Sequence, residues 1–349
     1  MERKLWLLGF MMVVMVGTVL AQDGIMVQGN WQGEFSSADW QSRSLRAQVV
    51  GESWTDFRCY IYVGTEGDNE IRGLLKGKTD KGITPFQGEI DLGENLGGVY
   101  GVEGQIAKGV FSGSLKSKSG GKSAEFSMKR VMLKSPTLGQ EPPEGAIVLM
   151  MDQGESKEQQ QELQAKQAET FEKEWNVEKR WGVNADGAIC MSPSSIWTKK
   201  EFGDADYHLE FQTPYMPTER DQGRGNSGFY IEGRYEIQVL DSFTDEPRDN
   251  QCGGIYQQAV PLCNPSLPPG EWQTYDVSFR TPRFDADGKK TENARLTVKL
   301  NGVVIHDNLE LRRPTPGGVA GNEATQGVIL LQDHNNYVRF NNAWVKPVN

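Results

Sequence analysis

Alternation of apolar and polar residues is clearest in the segment YIEGRYEIQVLD, residues 230–241. Its odd-numbered positions up to 239 are apolar apart from a glycine, and its even-numbered positions up to 238 are polar. The polar set is Tyr230, Glu232, Arg234, Glu236 and Gln238. Successive side chains of a strand point to opposite faces, so one face is expected to pack into a core while the other displays hydrogen-bonding groups. We interpret the polar face as a binding face rather than a solvated one, because a solvated face usually carries interspersed lysine and glutamate.

Three further segments show the same two-residue period: YHLEFQ at 207–212, RLTVKLN at 295–301 and YVRFNN at 337–342. Each places its apolar residues on one face and its polar residues on the other, with Glu210 and Arg339 among the outward positions. These strands predict a two-sheet antiparallel β-sandwich over residues 146–349.

The N-terminal part of the chain has a different organisation. From residue 29 to about residue 135, short β-rich runs such as FRCYIYVG alternate with glycine turns. This spacing predicts a small antiparallel barrel or sandwich, to which we assign residues 22–135. Residues 136–145 are rich in proline and polar residues and are predicted to link the two domains.

A run of good helix formers, ESKEQQQELQAKQAETFEKEW, occupies residues 155–175. Its apolar residues are too sparse for a coiled coil. It therefore predicts one surface helix that packs through Leu163, Phe171 and Trp175 rather than a partner-binding helix.

The first residues combine Arg3 and Lys4 with an apolar run from Leu5 to Leu20. This pattern predicts a secretory signal peptide over residues 1–21, although the run could also anchor the chain in a membrane. With cleavage we expect a secreted, periplasmic or cell-surface protein without stable membrane insertion. A net charge of −10 gives no basic stripe for nucleic acid, so nucleic acid is not expected as a partner.

The four cysteines matter because the chain is predicted to leave the reducing cytosol. Cys252 and Cys263 close a short loop rich in turn residues, and a disulfide is the preferred interpretation over free thiols. Cys59 and Cys190 are interpreted as small buried hydrophobic residues. No cysteine or histidine set has zinc spacing, and no cofactor is predicted; a divalent metal has no support in the sequence. The DADG segment at 285–288 resembles a calcium loop only faintly and is interpreted as a hairpin turn.

Four ordered blocks carry a family resemblance: RGNSGFYIEGRYEIQVLDSF (224–243), CGGIYQQAVPLC (252–263), the long segment 268–307 and LLQDHNNYVRFNNAWV (330–345). Together they closely resemble the 3-keto-disaccharide hydrolase family over about residues 145–349. The resemblance implies an all-β fold, with a C-terminal concanavalin A-like jelly-roll β-sandwich beside the small N-terminal antiparallel β-domain. Two departures are Asn335, where the family commonly has glycine, and the glutamine-rich helix near the start of the domain. Asparagine tolerates a left-handed backbone, so the turn at Asn335 is expected to persist.

The resemblance implies an oligosaccharide or glycoside substrate whose sugar carries a ketone at C3. The ketone acidifies the proton on C2, so a base can remove that proton and expel the aglycone from C1. Water then adds across the resulting enone. Such a route needs a base of near-neutral pKa and a donor for the enolate, not the carboxylate pair of ordinary glycosidases.

The QDHNN interruption at 332–336 is interpreted as a loop that aims His334 into a cleft as the base, with Glu236 as the alternative base or its partner. Arg339 is expected to offer planar donors to the same cleft. The alternative for His334 is a turn histidine bonded to backbone. The residues expected to contact substrate are Glu210, Asn226, Gln238, Tyr256, Trp272 and Gln332.

Three functions remain open from the sequence. The first is an enzyme that cleaves 3-keto-glycosides, as a hydrolase or a lyase. The second is a non-catalytic, lectin-like carbohydrate-binding module, since the same fold serves both. The third is a cell-surface interaction protein that acts through its N-terminal domain. The titratable pair of Glu236 and His334 favours the enzyme.

Overall fold

A computed structural model describes residues 24, 26–37, 40–64, 71–152, 157–176, 182–183, 189–190 and 194–348. The predicted signal peptide falls outside these residues. The chain divides into two compact units, Met1–Leu133 and Lys134–Asn349. None of the helices within the described ranges is long and apolar enough to cross a bilayer.

The described part of the first unit is a closed antiparallel barrel in which each strand pairs with the next and the last returns to the first. The strands are β1 (Gly29–Ser37), β2 (Trp40–Gly51), β3 (Asp56–Val63), β4 (Ile71–Lys78), β5 (Thr84–Asp91), β6 (Val99–Ala107), β7 (Val110–Ser117) and β8 (Ser123–Val131). A 3₁₀ turn, Glu94–Leu96, lies between β5 and β6. The interior is filled by side chains, among them Trp31, Phe111 and Phe126. The sequence predicted a small antiparallel barrel or sandwich, and the structure confirms the barrel.

The second unit is built almost entirely of strands. They are β9 (Ile147–Met150), β10 (Trp175–Asn176), β11 (Gly182–Val183), β12 (Ile189–Cys190), β13 (Ile196–Thr198), β14 (Ala205–Gln212), β15 (Ser227–Ile231), β16 (Tyr235–Val239), β17 (Gln273–Arg280), β18 (Arg283–Phe284), β19 (Lys290–Glu292), β20 (Ala294–Leu300), β21 (Val303–Leu311), β22 (Leu330–Leu331) and β23 (Arg339–Pro347). One helix, α1 (Lys157–Glu174), and a 3₁₀ turn, Asp221–Gly223, are added to them.

Among the described residues, these strands form two main antiparallel sheets. The smaller has the order β10-β13-β22-β15-β16, and the larger has the order β11-β12-β23-β14-β17-β20-β21 with β9 paired to β23. The two sheets share one core, where Tyr207 of the larger sheet meets Phe229 of the smaller sheet at 6.4 Å between ring centroids. β18 and β19 form a separate pair.

The predicted alternation is confirmed in both sheets. Ile231, Tyr235, Ile237 and Val239 lie in the core, as do the inward residues predicted for β14, β20 and β23. One detail was wrong: Glu232 and Arg234 lie in the turn between β15 and β16 and not on a strand face. The turn takes this form because residues 232 and 233 adopt φ values of 55° and 63°, the left-handed conformation of a tight hairpin.

The predicted surface helix is present as α1. Phe171 and the following Trp175 are buried in the core, and Leu163 is half-buried. Gln167 is also buried, because its side chain bonds both the amide and the carbonyl of Met151. The helix is thus fixed to the end of β9 by a polar contact as well as by its aromatic residues.

The residues at the start of the second unit are hydrogen-bonded to the larger sheet of that unit. Ser135 Oγ lies 2.6 Å from Thr274 Oγ1, and Thr137 Oγ1 donates to Asp276 Oδ2 at 2.7 Å. The amide of Gly139 donates to Glu210 Oε1 at 2.6 Å. Much of the segment predicted as a linker is therefore attached to outward side chains of β14 and β17.

The predicted disulfide between Cys252 and Cys263 is wrong, because both thiols are free. Cys252 is buried, with its sulfur 3.2 Å from the hydroxyl of Tyr275, whereas Cys263 is exposed. One side chain thus points into the core and the other to solvent, although the two are close in sequence. Cys59 is buried as predicted, and the side chain of Cys190 lies outside the described part of the structure.

Candidate active site

A cavity of about 250 Å³ lies against the outward face of the smaller sheet. Strands β15 and β16 supply three of its side chains, and loops supply the rest. The lining residues are Gln222, Asn226, Tyr230, Glu236, Gln238, Tyr256, Pro316, Gly317, Gln332 and His334. Three of the even-numbered polar positions of the first analysed segment, Tyr230, Glu236 and Gln238, therefore form the floor of this cavity.

Two glycines make room for the acidic and phenolic groups at the floor. A Cβ atom at position 228 would lie 2.4 Å from Glu236 Oε1, and one at position 317 would lie 2.6 Å from the hydroxyl of Tyr230. Gly317 also has φ 85°, a backbone conformation that favours glycine. Side chains at these positions would displace the groups that the cavity presents.

Glu236 is the buried carboxyl of the cavity, with 4% of its surface exposed. Burial raises its pKa to about 7, against a smaller opposing effect from a hydrogen bond with Tyr230. Its backbone amide donates to Thr315 Oγ1 at 2.9 Å, which fixes the strand at this point. Near neutral pH the carboxyl therefore exists in both protonation states, as a general base or acid requires.

Tyr230 is held by contacts on both sides of its hydroxyl. The hydroxyl donates to the carbonyl of Pro316 at 3.0 Å and accepts from Gln332 Nε2 at 3.1 Å. Burial, followed by the nearby charge of Glu236, raises its pKa far above the usual value. The phenol therefore stays protonated and acts as a hydrogen-bond donor.

A network of amides orders one wall of the cavity. Gln238 Nε2 donates to Asn226 Oδ1 at 2.7 Å, and Asn226 Nδ2 donates to the carbonyl of Gln222 at 2.7 Å. The backbone amide of Asn226 donates to Asn336 Oδ1, also at 2.7 Å. These bonds tie the turn before β15 to the loop after β22, so the wall is formed before any ligand enters.

His334 stands at the rim of the cavity and is exposed. The loop that carries it is fixed by Ser227 Oγ, which donates to the carbonyl of Gln332 at 2.6 Å. Asn335 has φ 58°, so the expected left-handed turn persists without glycine. The structure thus brings Glu236 and His334 to one cavity, the first at the floor and the second at the mouth.

Arg339 and Trp272 do not line this cavity, contrary to the sequence expectation. Arg339 begins β23 in the larger sheet, directly opposite Gln212 of β14, and its Nη1 donates to Gln212 Oε1 at 3.0 Å. Its guanidinium carbon lies 5.4 Å from the centre of the Trp272 ring. Glu236 belongs to the smaller sheet. Glu236 and Arg339 each point outward from their own sheet, and so they do not meet.

Glu210 is also placed away from the cavity. It is 2% exposed and accepts hydrogen bonds from the amide of Gly139 and from the side chains of Asn341 and Asn342. His208 Nε2 lies 3.5 Å from the same carboxyl group. Both oxygens of the Glu210 carboxyl group therefore already accept hydrogen bonds from the protein. The group is not available to a substrate.

Sequence reasoning placed Tyr230 on the binding face without naming it as a site residue, and it did not select Gln222, Pro316 and Gly317 at all. Tyr230, like Glu236, is an even-numbered position of the alternating segment, so the pattern already placed it on the same face. The other three come from loops without any period, and their positions depend on how those loops fold over the sheet. Among the described residues, no group of three or more histidine, cysteine or acidic side chains could hold a metal ion.

A polar cavity with one titratable carboxyl defines a small-molecule site on an antiparallel β-fold. Residues 134–346 match the family described as the 3-keto-alpha-glucoside-1,2-lyase-like domain, and the chain belongs to this family. The family resemblance seen in the sequence is thereby confirmed.

Two solved structures from Parabacteroides distasonis, each named as a candidate glycosyl hydrolase, are similar to the chain. The first is 32% identical, with 59% of this chain and 85% of that chain covered and a TM-score of 0.49. The second is 21% identical, with 51% and 95% covered and a TM-score of 0.37. No curated protein sequence gives a significant match.

Proposed function

We propose that the chain is a glycoside-active enzyme that cleaves 3-keto-glycosides at C1 by elimination and then hydrates the product. Its family and the names of the similar structures support action on glycosides. The choice of elimination rests on the carboxyl group of Glu236.

The observation that carries the proposal is a single buried carboxyl, with a pKa of about 7, at the floor of the cavity. Ordinary glycosidases use two carboxyl groups separated by roughly 5 to 9.5 Å across the scissile bond. Among the described residues that line this cavity, Glu236 is the one carboxylic acid. One base of near-neutral pKa suits the removal of an acidified carbon-bound proton instead.

Size and charge further define the substrate. The volume of about 250 Å³ is below the range of roughly 300 to 1,000 Å³ found for drug-sized ligands, so it suits one sugar ring. Apart from Glu236 and His334, the lining residues carry neither a carboxyl nor a basic group. We infer that the 3-keto ring enters the cavity as an uncharged terminal sugar, with the aglycone at the mouth.

The proposed reaction begins when the C2–H bond breaks and its proton passes to the Glu236 carboxylate. The electron pair moves into the C3 carbonyl as an enolate. Collapse of the enolate forms the C1=C2 double bond, restores the C3 ketone and breaks the C1–O bond. The departing oxygen takes a proton from His334. Water then adds hydroxyl to C1 and a proton to C2, which returns both residues to their starting states.

Tyr230 and His334 have different parts in this scheme. Tyr230 presents a protonated hydroxyl beside Glu236, where a donor stabilises the negative charge that develops on the C3 oxygen. His334 stands at the rim, where the leaving oxygen exits to solvent. This division reverses the sequence-based preference, which gave the role of base first to His334.

We also propose that the second unit is a concanavalin A-like jelly roll and that the enzyme acts outside the cytoplasm. The shared core of two antiparallel sheets supports the first point. The basic residues and apolar run of residues 1–21 support the second. Cell fractionation of a producing strain, with the N-terminus of the recovered protein sequenced, tests export directly.

The function is tested by incubating purified protein with 3-keto-glucosides and with their unoxidised parents while aglycone release is followed. We expect release from the ketones alone, together with an enone intermediate that absorbs in the ultraviolet. The Glu236→Gln variant should release no aglycone above background, whereas Glu201→Gln, at an exposed position outside the cavity, should equal the wild type. Equal turnover of oxidised and unoxidised substrates would overturn the 3-keto assignment. Tight binding without turnover would favour the lectin-like module.

A further inference from the structure

The outer face of the barrel carries a compact surface of basic and aromatic side chains on β2, β3 and β4. Strand register places these residues in three adjacent rows. They are Arg46, Tyr62 and Arg72 in the first row, Gln48, Tyr60 and Leu74 in the second, and Arg58 and Lys76 in the third. The residues that alternate with them, such as Cys59 and Ile61, fill the barrel interior. We call this outward set the barrel face.

Charge is concentrated on the barrel face. It holds three arginines and one lysine, and no acidic residue occupies any of its positions. Residues 24–133 contain as many acidic as basic residues, so the net charge of −10 falls on the rest of the chain. Acidic residues lie at its edges: Glu52 is 3.7 Å from Arg58, Glu89 of β5 pairs with Leu74, and Asp56 pairs with Lys78 in the row beyond Arg58 and Lys76. The barrel face is therefore a local cationic region on an acidic protein.

The two tyrosines hold the guanidinium groups in fixed planes. The guanidinium carbon of Arg72 lies 3.7 Å from the centre of the Tyr60 ring and 6.0 Å from that of Tyr62. Arg58 lies 5.2 Å from the Tyr60 ring, and Arg46 lies 5.4 Å from the Tyr62 ring. Stacking of this kind lowers the entropy lost when a guanidinium group binds an anion.

Neutral hydrogen-bonding groups lie beside the cations on the β1 side of the barrel face. The hydroxyl of Tyr62 donates to Gln48 Oε1 at 2.8 Å, and Gln48 Nε2 lies 3.4 Å from Asn30 Oδ1. A groove of about 530 Å³ continues from Lys76 across β5 and β6, and its polar lining includes Lys78 and Gln87 together with the acidic Asp56 and Glu103. Guanidinium groups bind carboxylates through two parallel bonds, while hydroxyls and amides bind sugar hydroxyls. The surface thus extends over more than one sugar residue.

We propose that the barrel face binds an acidic polysaccharide whose uronate carboxylates pair with Arg58, Arg72 and Lys76. Nucleic acid fits less well, because bases need uncovered aromatic faces and each tyrosine ring here already has two guanidinium groups near it. An anionic membrane fits less well, because Leu74 is the one exposed aliphatic residue of the set. This binding is independent of the reaction proposed for the second unit.

The test uses the full-length protein and polygalacturonic acid, with the fully methyl-esterified polymer as a ligand of the same backbone without charge. Binding is measured by isothermal titration calorimetry at low salt and again in roughly 0.5 M NaCl, where exposed charges are screened. We expect binding to the acid form alone, and its loss at high salt. Equal binding to the esterified polymer would overturn the proposal, and this comparison needs no variant.

Two double variants with the same change of charge locate the site. Arg72→Gln with Lys76→Gln alters the barrel face, whereas Lys108→Gln with Lys122→Gln alters exposed lysines in other turns of the barrel. The first should weaken binding about tenfold or more, and the second should bind like the wild type. Equal weakening in both would show non-specific attraction. Tighter binding to single-stranded DNA or to phosphatidylglycerol vesicles than to the polysaccharide would overturn the assignment of the ligand.

Discussion

Tyr230 and Glu236 face each other across the β15–β16 hairpin as a directly paired couple, with the phenol within hydrogen-bonding reach of the carboxyl group. The phenol has one proton, which it also donates to the carbonyl of Pro316. A charged Glu236 therefore competes with Pro316 for that proton. The protonation of the proposed base and the orientation of the proposed donor are thus coupled within one strand pair.

The first prediction concerns the base. Glu236→Gln should lower kcat for a 3-keto-glycoside by roughly 10²-fold or more, the usual scale for the loss of a general acid or base. The amide keeps the shape of the side chain but accepts no proton. Stopped assays of aglycone release on purified variants measure the effect.

A matched comparison separates this loss from a folding defect. Circular dichroism and the melting temperature of Glu236→Gln should be close to those of the wild type, because a neutral side chain is easier to bury than a charged one. A deuterium label at C2 of the substrate should also slow the wild-type enzyme about twofold or more, if removal of that proton limits the rate. Normal turnover by Glu236→Gln would refute its role as the base.

The second prediction concerns pH. Because the active form of Glu236 is ionised, kcat/KM should rise with pH through a pKa of about 7. The hydrogen bond from Tyr230 lowers that pKa, so Tyr230→Phe should move the acid limb of the profile to higher pH. The variant should also lose part of kcat, because the enolate loses a donor.

A structural role for Tyr230 alone would give a different result. In that case the activity of Tyr230→Phe would fall at every pH without a shift of the acid limb. Rates measured from pH 5 to pH 9 with a substrate of stable ionisation distinguish the two outcomes. A shift of the limb to lower pH would contradict the assigned hydrogen bond.

Strand faces could be predicted from the sequence because a period of two fixes the side to which each residue points. That rule found Ile237 in the core and Glu236 outside it. It could not find the position of Arg339, because parity on a strand does not say in which of two sheets the strand lies. Glu210 also obeyed the rule, yet the segment around Gly139 covers it. Loop-borne residues such as Gly317 had no periodic signal at all.

The third prediction tests His334 as the acid that protonates the leaving oxygen. His334→Ala should lower kcat by roughly 10²-fold for a sugar aglycone, which needs protonation, and far less for 4-nitrophenol, which leaves as an anion. Because His334 is exposed at the rim, this variant should leave the core intact. Both substrates should be compared at the same pH and under saturation.

An equal loss of activity with both aglycones would identify His334 as the base. Loss of the base slows proton removal from C2, so both aglycones would then be released equally slowly. Restoration of sugar release by added imidazole would further support the acid role. Full activity with both substrates would leave His334 without a catalytic part and return it to a turn histidine.

The last prediction concerns two buried histidines of the second unit, whose pKa values shift in opposite directions. Burial alone would lower the pKa of His208, but hydrogen bonds and charge from Asp276 and Glu210 raise it overall. His208 Nδ1 lies 2.7 Å from Asp276 Oδ1, and the ring stacks on Trp344 at 5.3 Å. Burial lowers the pKa of His306, whose Nε2 lies 2.8 Å from the carbonyl of Gly253.

The signs follow from linkage between protonation and folding. A raised folded-state pKa stabilises the protein fully below the unfolded value of about 6.5, and this contribution is lost as pH rises through the folded value. A lowered folded-state pKa stabilises it fully above about 6.5, and this contribution is lost as pH falls through the folded value. Relative to His208→Asn, the wild type should therefore lose stability as pH rises, whereas relative to His306→Asn it should gain stability. Urea unfolding of the three proteins at intervals from pH 5 to pH 9 measures both slopes, and slopes of the same sign would contradict the contacts assigned to one of the two histidines.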